Sequence, residues 1–244
     1  MRIFVIIFIT AVQIISPSPR LQAQDIIDVG KFSAAEPGEK LPEGWHPLIF
    51  KNLTSYTRYS LVKDGDTVVV KAVSEASASG LIRKIRIDPQ KYPIIQWRWK
   101  VMNVCKNSDV TQKDGNDYPA RIYITFEHDP GKIGFFDKIK YYLAKQIYGE
   151  YPPICAINYI WESKAPIGTI APDPYTERNK MIVVESGEKA LDTWITEERN
   201  ILADFVAAFG ETPPMISGIG IMTDSDNTKE SDTAFYGDIL LKQK

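Results

Sequence analysis

Histidine and cysteine are scarce in this 244-residue chain, which contains two copies of each. His46 and His128 are too few for a histidine-rich metal site, and Cys105 and Cys155 do not complete a normal zinc ligand set with them. A Ser-His-Asp triad would have to use one of these two histidines, and no G-x-S-x-G motif is present. The sequence therefore argues against zinc chemistry and against the common serine hydrolases.

The two cysteines allow two interpretations. Two cysteines can pair in an oxidising compartment, but the sequence does not show whether the Cα atoms of Cys105 and Cys155 lie close enough for a disulfide. A disulfide and two separate buried thiols both stay open at this point.

An excess of positive charge is also absent, because 29 Lys and Arg residues face 31 Asp and Glu residues. Loss of residues 1–23 would remove Arg2 and Arg20 and leave 27 basic against 31 acidic residues. Proteins that bind nucleic acids are usually basic, with clustered positive charge. We therefore expect no nucleic-acid partner.

The N-terminus has the pattern of an export signal. In "MRIFVIIFITAVQII", Arg2 precedes an apolar run that ends at Ile15, and the small residue Ala23 follows at a plausible cleavage site. The run is too short to span a bilayer comfortably. We predict a secretory signal over residues 1–23 and a periplasmic or extracellular bacterial protein, with an uncleaved anchor as the alternative. Residues 24–244 are expected to form one domain without a transmembrane segment.

Short strands separated by turns dominate the rest of the sequence. The stretch "TRYSLVKDGDTVVVKAVS" predicts a hairpin that turns at Asp64-Gly65. In "PIIQWRWKV", Trp97 and Trp99 alternate with Arg98 and Lys100, which predicts that both tryptophans face the core. The stretch "ARIYITFEH" alternates in the same way.

Two segments have helical rather than strand periodicity, at about residues 134–149 and 189–209. About ten short strands with two inserted helices predict a mainly β fold. We expect a jelly-roll-like antiparallel β-sandwich with one sheet face open to a ligand.

Four stretches together carry a family resemblance: "SEASASGLIRKIRIDPQKYPIIQWRWKV", "DVTQKDGNDYPARIYITFEHDP", "PYTERNKMIVVESG" and "MTDSDNTKESDTAFYGDI". The chain resembles the exported bacterial domain-of-unknown-function family 3047, from about Gly44 to Leu241. That family implies no established reaction, substrate or catalytic residue. A looser similarity links the chain to jelly-roll sandwiches of the galactose-binding and carbohydrate-binding kind, which often end on an aromatic-x-Asp-aliphatic strand.

The acidic stretch "IMTDSDNTKESDTAFYGDIL" at residues 221–240 is the most distinctive polar segment. It is not an EF-hand, since Lys229 stands where glycine is needed and Phe235 where the bidentate Glu is needed. A polar turn between the last two strands is the simplest interpretation. A calcium site formed by backbone carbonyl groups with Asp224, Asp226 or Asp238 is the alternative, and no other cofactor is expected.

The leading functional hypothesis is non-catalytic binding of a carbohydrate or another envelope ligand on the open sheet face. Trp45 and Tyr236 lie near the ends of predicted strands and are the candidate exposed aromatic residues. The predicted ligand-binding residues are Arg98, Asp117, Arg121, Asp224, Asp226 and Tyr236.

Two other functions stay open. A carbohydrate-active hydrolase or lyase would use Glu127, Asp129 or Asp117 as acid and base, and His128 could serve a lyase as the base. An envelope assembly protein would act through contacts with other proteins. The sequence does not decide between enzyme and binding protein, and it does not predict the oligomeric state.

Overall fold

The computed structural model describes residues 25–50, 53–127 and 155–244. The predicted signal at 1–23, the predicted helix at 134–149, His128 and Asp129 lie outside these described residues.

The described chain is built mainly from thirteen strands and one α-helix, α1 (Ile201–Phe209). The strands, in chain order, are β1 (Ile26–Gly30), β2 (His46–Leu48), β3 (Arg58–Asp64), β4 (Thr67–Glu75), β5 (Ala78–Ile87), β6 (Ile94–Val101), β7 (Ala120–Phe126), β8 (Ala156–Glu162), β9 (Ile170–Asp173), β10 (Thr176–Ser186), β11 (Ile195–Asn200), β12 (Ile216–Asp224) and β13 (Ser231–Lys242).

These strands form two sheets. The first sheet has the order β11-β6-β13-β4-β3, and β1 pairs with β13 as well. The second sheet has the order β2-β5-β12-β7-β8-β10-β9. All pairs are antiparallel except β8 with β10, which run parallel. The mainly β, two-sheet architecture is therefore confirmed, and this parallel pair departs from the purely antiparallel sandwich that the sequence predicted.

The hydrophobic core lies between the two sheets and contains residues from both. Trp97 of β6 stacks on Tyr159 of β8 at 5.2 Å between ring centroids, and Trp99 lies 6.0 Å from Trp161. All four rings are buried. The prediction that Trp97 and Trp99 face the core is confirmed, because alternate residues of a strand point to opposite faces of the sheet.

The prediction of a helix over 189–209 is wrong for its first half. Residues 195–200 form β11, which pairs with β6 along the edge of the first sheet. The helix begins only after Asn200, whose side-chain oxygen accepts a hydrogen bond from the Ala203 N–H. It ends at Phe209, and Gly210, with φ 74°, caps its C-terminus. The edge of β6 supplies hydrogen-bond partners for the backbone of residues 195–200. The apolar periodicity of this segment alone does not reveal such a neighbouring strand.

Both cysteines are free thiols: Cys105 is buried after β6 and Cys155 is half-buried before β8. The structure thus has two separate thiols rather than the disulfide. No helix among the described residues is long and apolar enough to cross a membrane.

Candidate functional site

Four of the predicted polar residues meet at one end of the second sheet. Strands β7 and β12 are antiparallel neighbours, with Arg121 opposite Met222, so the start of β7 lies beside the end of β12. This pairing places Asp117 and Arg121 next to Asp224 and Asp226. One carboxylate oxygen from each of the three aspartates lies within 4.8 Å of the others. We call Asp117, Asp224 and Asp226 the acidic cluster.

Arg121 and Asp224 form a buried ion pair within this arrangement. Arg121 Nε donates a hydrogen bond to Asp224 Oδ1 at 2.7 Å, and Arg121 Nη2 contacts Oδ2. The same Nη2 donates to the backbone oxygen of Asn116 at 2.6 Å, and the guanidinium lies 4.4 Å from the ring of Tyr118. Arg121 therefore holds the loop before β7 in place, and its guanidinium is not free to bind a ligand.

Asp117 is the least compensated member of the acidic cluster. Its side chain is 0% exposed. Oδ2 accepts a hydrogen bond from the Thr228 N–H, whereas Oδ1 has no partner among the described residues. The same holds for Oδ1 of Asn116 and Oη of Tyr118, its two neighbours in the chain, and for Oγ1 of Thr228. Buried polar groups are normally hydrogen-bonded, so this end of the sheet has unused bonding capacity.

Asp226 lies at the outer side of the acidic cluster and is half-buried. Burial and the negative charge of the neighbouring Asp117 both raise the pKa of Asp226. The carboxylates of the cluster thus repel one another in the absence of further positive charge.

An aromatic rim stands beside the acidic cluster. Tyr175 occupies the turn between β9 and β10, is 59% exposed, and its hydroxyl donates to Asn227 Oδ1 at 3.3 Å. Lys113 Nζ lies 5.5 Å from the centroid of the Tyr175 ring. Partial burial raises the pKa of Tyr175, and the charges of Asp226 and Asp117 raise it further. We call Tyr175, Asn227 and Lys113 the rim.

The sequence analysis missed all three residues of the rim. The signal was present in "DPYTER", which places a tyrosine directly after Pro174 between two strand segments, where a side chain at the tip of a turn is usually exposed.

Tyr236 lies behind the acidic cluster and not on the surface. Its side chain is buried in the core, and its hydroxyl donates to the Met222 backbone oxygen at 2.6 Å. Trp45 is buried as well, with its ring 5.2 Å from that of Phe32. Both predictions of an exposed aromatic residue are wrong, because β13 is a central strand and Trp45 packs into the core.

Arg98 does not belong to this site. It lies on β6 of the first sheet, with its guanidinium 4.6 Å from the ring of Trp194. It also crosses Gly237, where a Cβ atom would lie 2.4 Å from the Arg98 side chain. The expectation that Arg98 and Arg121 share one open sheet face is therefore wrong, since the two residues belong to different sheets.

Two other candidate acids, Glu127 for catalysis and Asp238 for calcium, do not belong to the acidic cluster. Glu127 accepts two hydrogen bonds from Arg86, at 2.6 and 3.2 Å. Asp238 accepts hydrogen bonds from the N–H and the hydroxyl of Ser33 and is not part of the acidic cluster. Of the acids considered for catalysis, Asp117 alone among the described residues lies in the cluster.

Comparison with known proteins gives one family and several distant structures. The family model described as "Protein of unknown function (DUF3047)" matches residues 43–240, which confirms the resemblance found in the sequence. No curated protein matches the chain.

Several similar solved structures are carbohydrate-binding modules. The family 11 module of cellulosomal cellulase Lic26A-Cel5E of Clostridium thermocellum is 10% identical with a TM-score of 0.43, and the alignment covers 91% of this chain and 97% of that chain. A family 29 module is 8% identical, with coverages of 91% and 90% and a TM-score of 0.37. The xylan-binding module CBM15 is 11% identical, with coverages of 91% and 97% and a TM-score of 0.36. None of these TM-scores reaches 0.5, so the likeness does not extend to a site or a ligand.

Proposed function

The chain belongs to the DUF3047 family, whose function is unknown, and we propose that it binds a carbohydrate without catalysis, through the rim and the acidic cluster. The observation that carries the proposal is the exposed ring of Tyr175 beside buried oxygens that have no hydrogen-bond partner.

The rim supplies the stacking part of the proposed site. A sugar ring has an apolar face that suits an aromatic side chain, and an exposed tyrosine combines an apolar body with a polar tip. Tyr175 is more than half exposed, although its hydroxyl is held by Asn227. A ring that is fixed in place before the ligand arrives loses little conformational entropy on binding.

Polar groups beside the Tyr175 ring supply the directional hydrogen bonds of the proposed site. Asn227 donates its Nδ2 hydrogen to the Lys113 backbone oxygen at 2.8 Å, which orients its amide toward Tyr175. Asp226 is half-buried at the outer side of the acidic cluster. Ligand sites commonly combine an aromatic wall with a few oriented polar groups of this kind, and carboxylate and amide oxygens accept hydrogen bonds from sugar hydroxyl groups.

The state of the carboxylates supports binding rather than hydrolysis. A glycosidase needs one carboxylic acid and one carboxylate free to reach the bond that is broken. Asp224 is held by Arg121, and Glu127 is held by Arg86. Neither side chain is free to act as a mobile acid or base, and Asp117, the third candidate among the described residues, is 0% exposed.

We also propose that the protein works outside the cytoplasm, after removal of residues 1–23. The support is the single arginine followed by an apolar run that ends at Ile15.

The test is a glycan array of bacterial-envelope and plant glycans, followed by titration calorimetry with the glycans that bind. The variant Tyr175→Ala should weaken binding about tenfold or more, which corresponds to about 1.4 kcal/mol or more. The matched control is Tyr56→Ala, which removes another exposed tyrosine, whose hydroxyl donates to Leu53 O.

The control should leave the affinity within about twofold of the unaltered protein. Absence of binding to every glycan would refute the proposal. So would a ligand whose affinity does not change in Tyr175→Ala, and release of a shortened glycan would show an enzyme instead.

A further inference from the structure

The acidic cluster has three carboxylates, and the ion pairs among the described residues supply one arginine to it. Arg121 pairs with Asp224 through two of its nitrogen atoms. No lysine or arginine among the described residues forms an ion pair with Asp117, although its side chain is fully buried. A buried carboxylate without a compensating cation is destabilising, and among the described residues Arg121 is the cation that pairs with a member of this three-carboxylate cluster.

A second observation points to a ligand at the same place. Asp117 Oδ1 is buried and unpartnered, and its carboxylate belongs to the group of oxygens that lie within 4.8 Å of one another. Thr228, whose N–H donates to Asp117 Oδ2, has a buried and unpartnered Oγ1. Asn116 Oδ1 is also buried and unpartnered. These unused acceptors thus belong to Asp117 itself, to its neighbour in the chain and to the residue that donates a hydrogen bond to it.

We propose that Asp117, Asp224 and Asp226 bind a calcium ion. Calcium–oxygen distances are about 2.3–2.6 Å, so two ligand oxygens on opposite sides of one ion lie about 4.8 Å apart. The separations within the acidic cluster are compatible with this limit.

The ligand atoms decide the class of metal. The cluster offers carboxylate oxygens, and the unpartnered buried atoms of Asn116 and Thr228 are an amide oxygen and a hydroxyl oxygen. Such oxygen donors suit hard cations rather than zinc or copper. Magnesium requires nearly octahedral geometry, whereas calcium accepts six to eight oxygens in irregular arrangements. A ligand set drawn from the loop before β7 and the turn after β12, with Asp224 also bound to Arg121, fits calcium better.

The calcium proposal goes beyond glycan binding, although both proposals use the acidic cluster. The cation would lie at the acidic cluster, whereas the proposed stacking surface is Tyr175 at the rim. Asp226 takes part in both proposals, whereas Tyr175 takes part only in glycan binding, so the Tyr175 variant below separates the two.

The experiment is calorimetric titration of the chelator-treated full-length protein with calcium chloride, without any glycan, together with thermal melting in calcium and in EDTA. We expect a saturable heat and a rise of the melting midpoint, since a ligand that binds only the folded state stabilises it by mass action. Asp226→Asn should weaken calcium binding at least tenfold. Asp114→Asn changes an exposed acid of the neighbouring loop and should change the affinity less than twofold.

Tyr175→Ala should retain calcium binding even where it abolishes glycan binding. Lack of any calcium-dependent heat or midpoint shift at millimolar calcium would overturn the proposal. Equal losses in Asp226→Asn and Asp114→Asn would also overturn it, because they would show a general charge effect. Magnesium binding as tight as calcium binding would overturn the assignment to calcium.

Discussion

Asp232 should make the free energy of unfolding of this protein depend on pH, and Asp232→Asn should remove that contribution. The residue lies near the start of β13 and is 1% exposed. The thiol of Cys105 donates to Oδ2, and Asn103 Nδ2 donates to Oδ1 at 2.7 Å. No positive charge faces this carboxylate among its described partners. Burial, together with the charges of Asp117 and Glu230, raises the pKa of Asp232 to about 7.

The sign of the effect follows from proton binding. Between the ordinary pKa of 3.8 and the folded-state value of about 7, the folded protein binds more protons at Asp232 than the unfolded chain does. The free energy of unfolding therefore falls as the pH rises through this window. One pKa unit corresponds to about 1.4 kcal/mol, so the loss is on the order of 4 kcal/mol between pH 4 and pH 8.

Urea denaturation of the unaltered protein and of Asp232→Asn, between pH 4 and pH 8, measures this contribution. EDTA is present throughout so that cation binding does not change the charge at Asp117. The asparagine keeps an acceptor for Asn103 and cannot ionise, so the variant should gain on the order of 4 kcal/mol relative to the unaltered protein as the pH rises. Asp66→Asn, in the exposed β3–β4 turn, controls for the change in net charge. Parallel stability profiles for Asp232→Asn and the unaltered protein would refute the reasoning.

Two further perturbations test other buried charges. Arg121→Leu should destabilise the folded protein by about 3–5 kcal/mol in urea denaturation with EDTA, because it leaves Asp224 buried without its partner. The double variant Arg121→Leu, Asp224→Asn should recover part of that loss. A double variant that is no more stable than the single one would contradict this reasoning. The pKa of Glu197 is raised to about 7, first by burial and next by the Glu185 carboxylate on the other sheet. Glu197→Gln should therefore reduce the fall in the free energy of unfolding between pH 5 and pH 7. An unchanged dependence of that free energy on pH would contradict this prediction.

Local patterns predicted the parts of the fold that depend on local chemistry. The alternation in β6 placed Trp97 and Trp99 in the core, because the side-chain period of a strand is set by the backbone itself. The β3–β4 hairpin turns at Gly65, whose φ of 62° is unfavourable for residues with a Cβ atom. Both features follow from a few consecutive residues.

The site could be predicted only in part, because it depends on which strands are neighbours. Asp117 and Asp224 are more than a hundred positions apart in the sequence, and the β7–β12 pairing brings them together. Arg98 resembles Arg121 in its local pattern, yet its strand pairs with β11 and β13 in the other sheet. No local rule distinguishes these two arginines, since strand order is decided by contacts between distant segments.

The core holds the acidic cluster in place from behind. The Tyr236 hydroxyl, which donates to Met222 O, also contacts Thr223 Oγ1 at 2.8 Å, and it accepts the Arg121 N–H at 3.4 Å. These contacts join the central strand of the first sheet to the end of β12, directly before Asp224. The burial that orders Arg121 and Asp224 in this way also keeps them from reaching outward. The affinity for a ligand should therefore depend on the more exposed groups, Asp226 and the rim, while the buried ion pair keeps them in position.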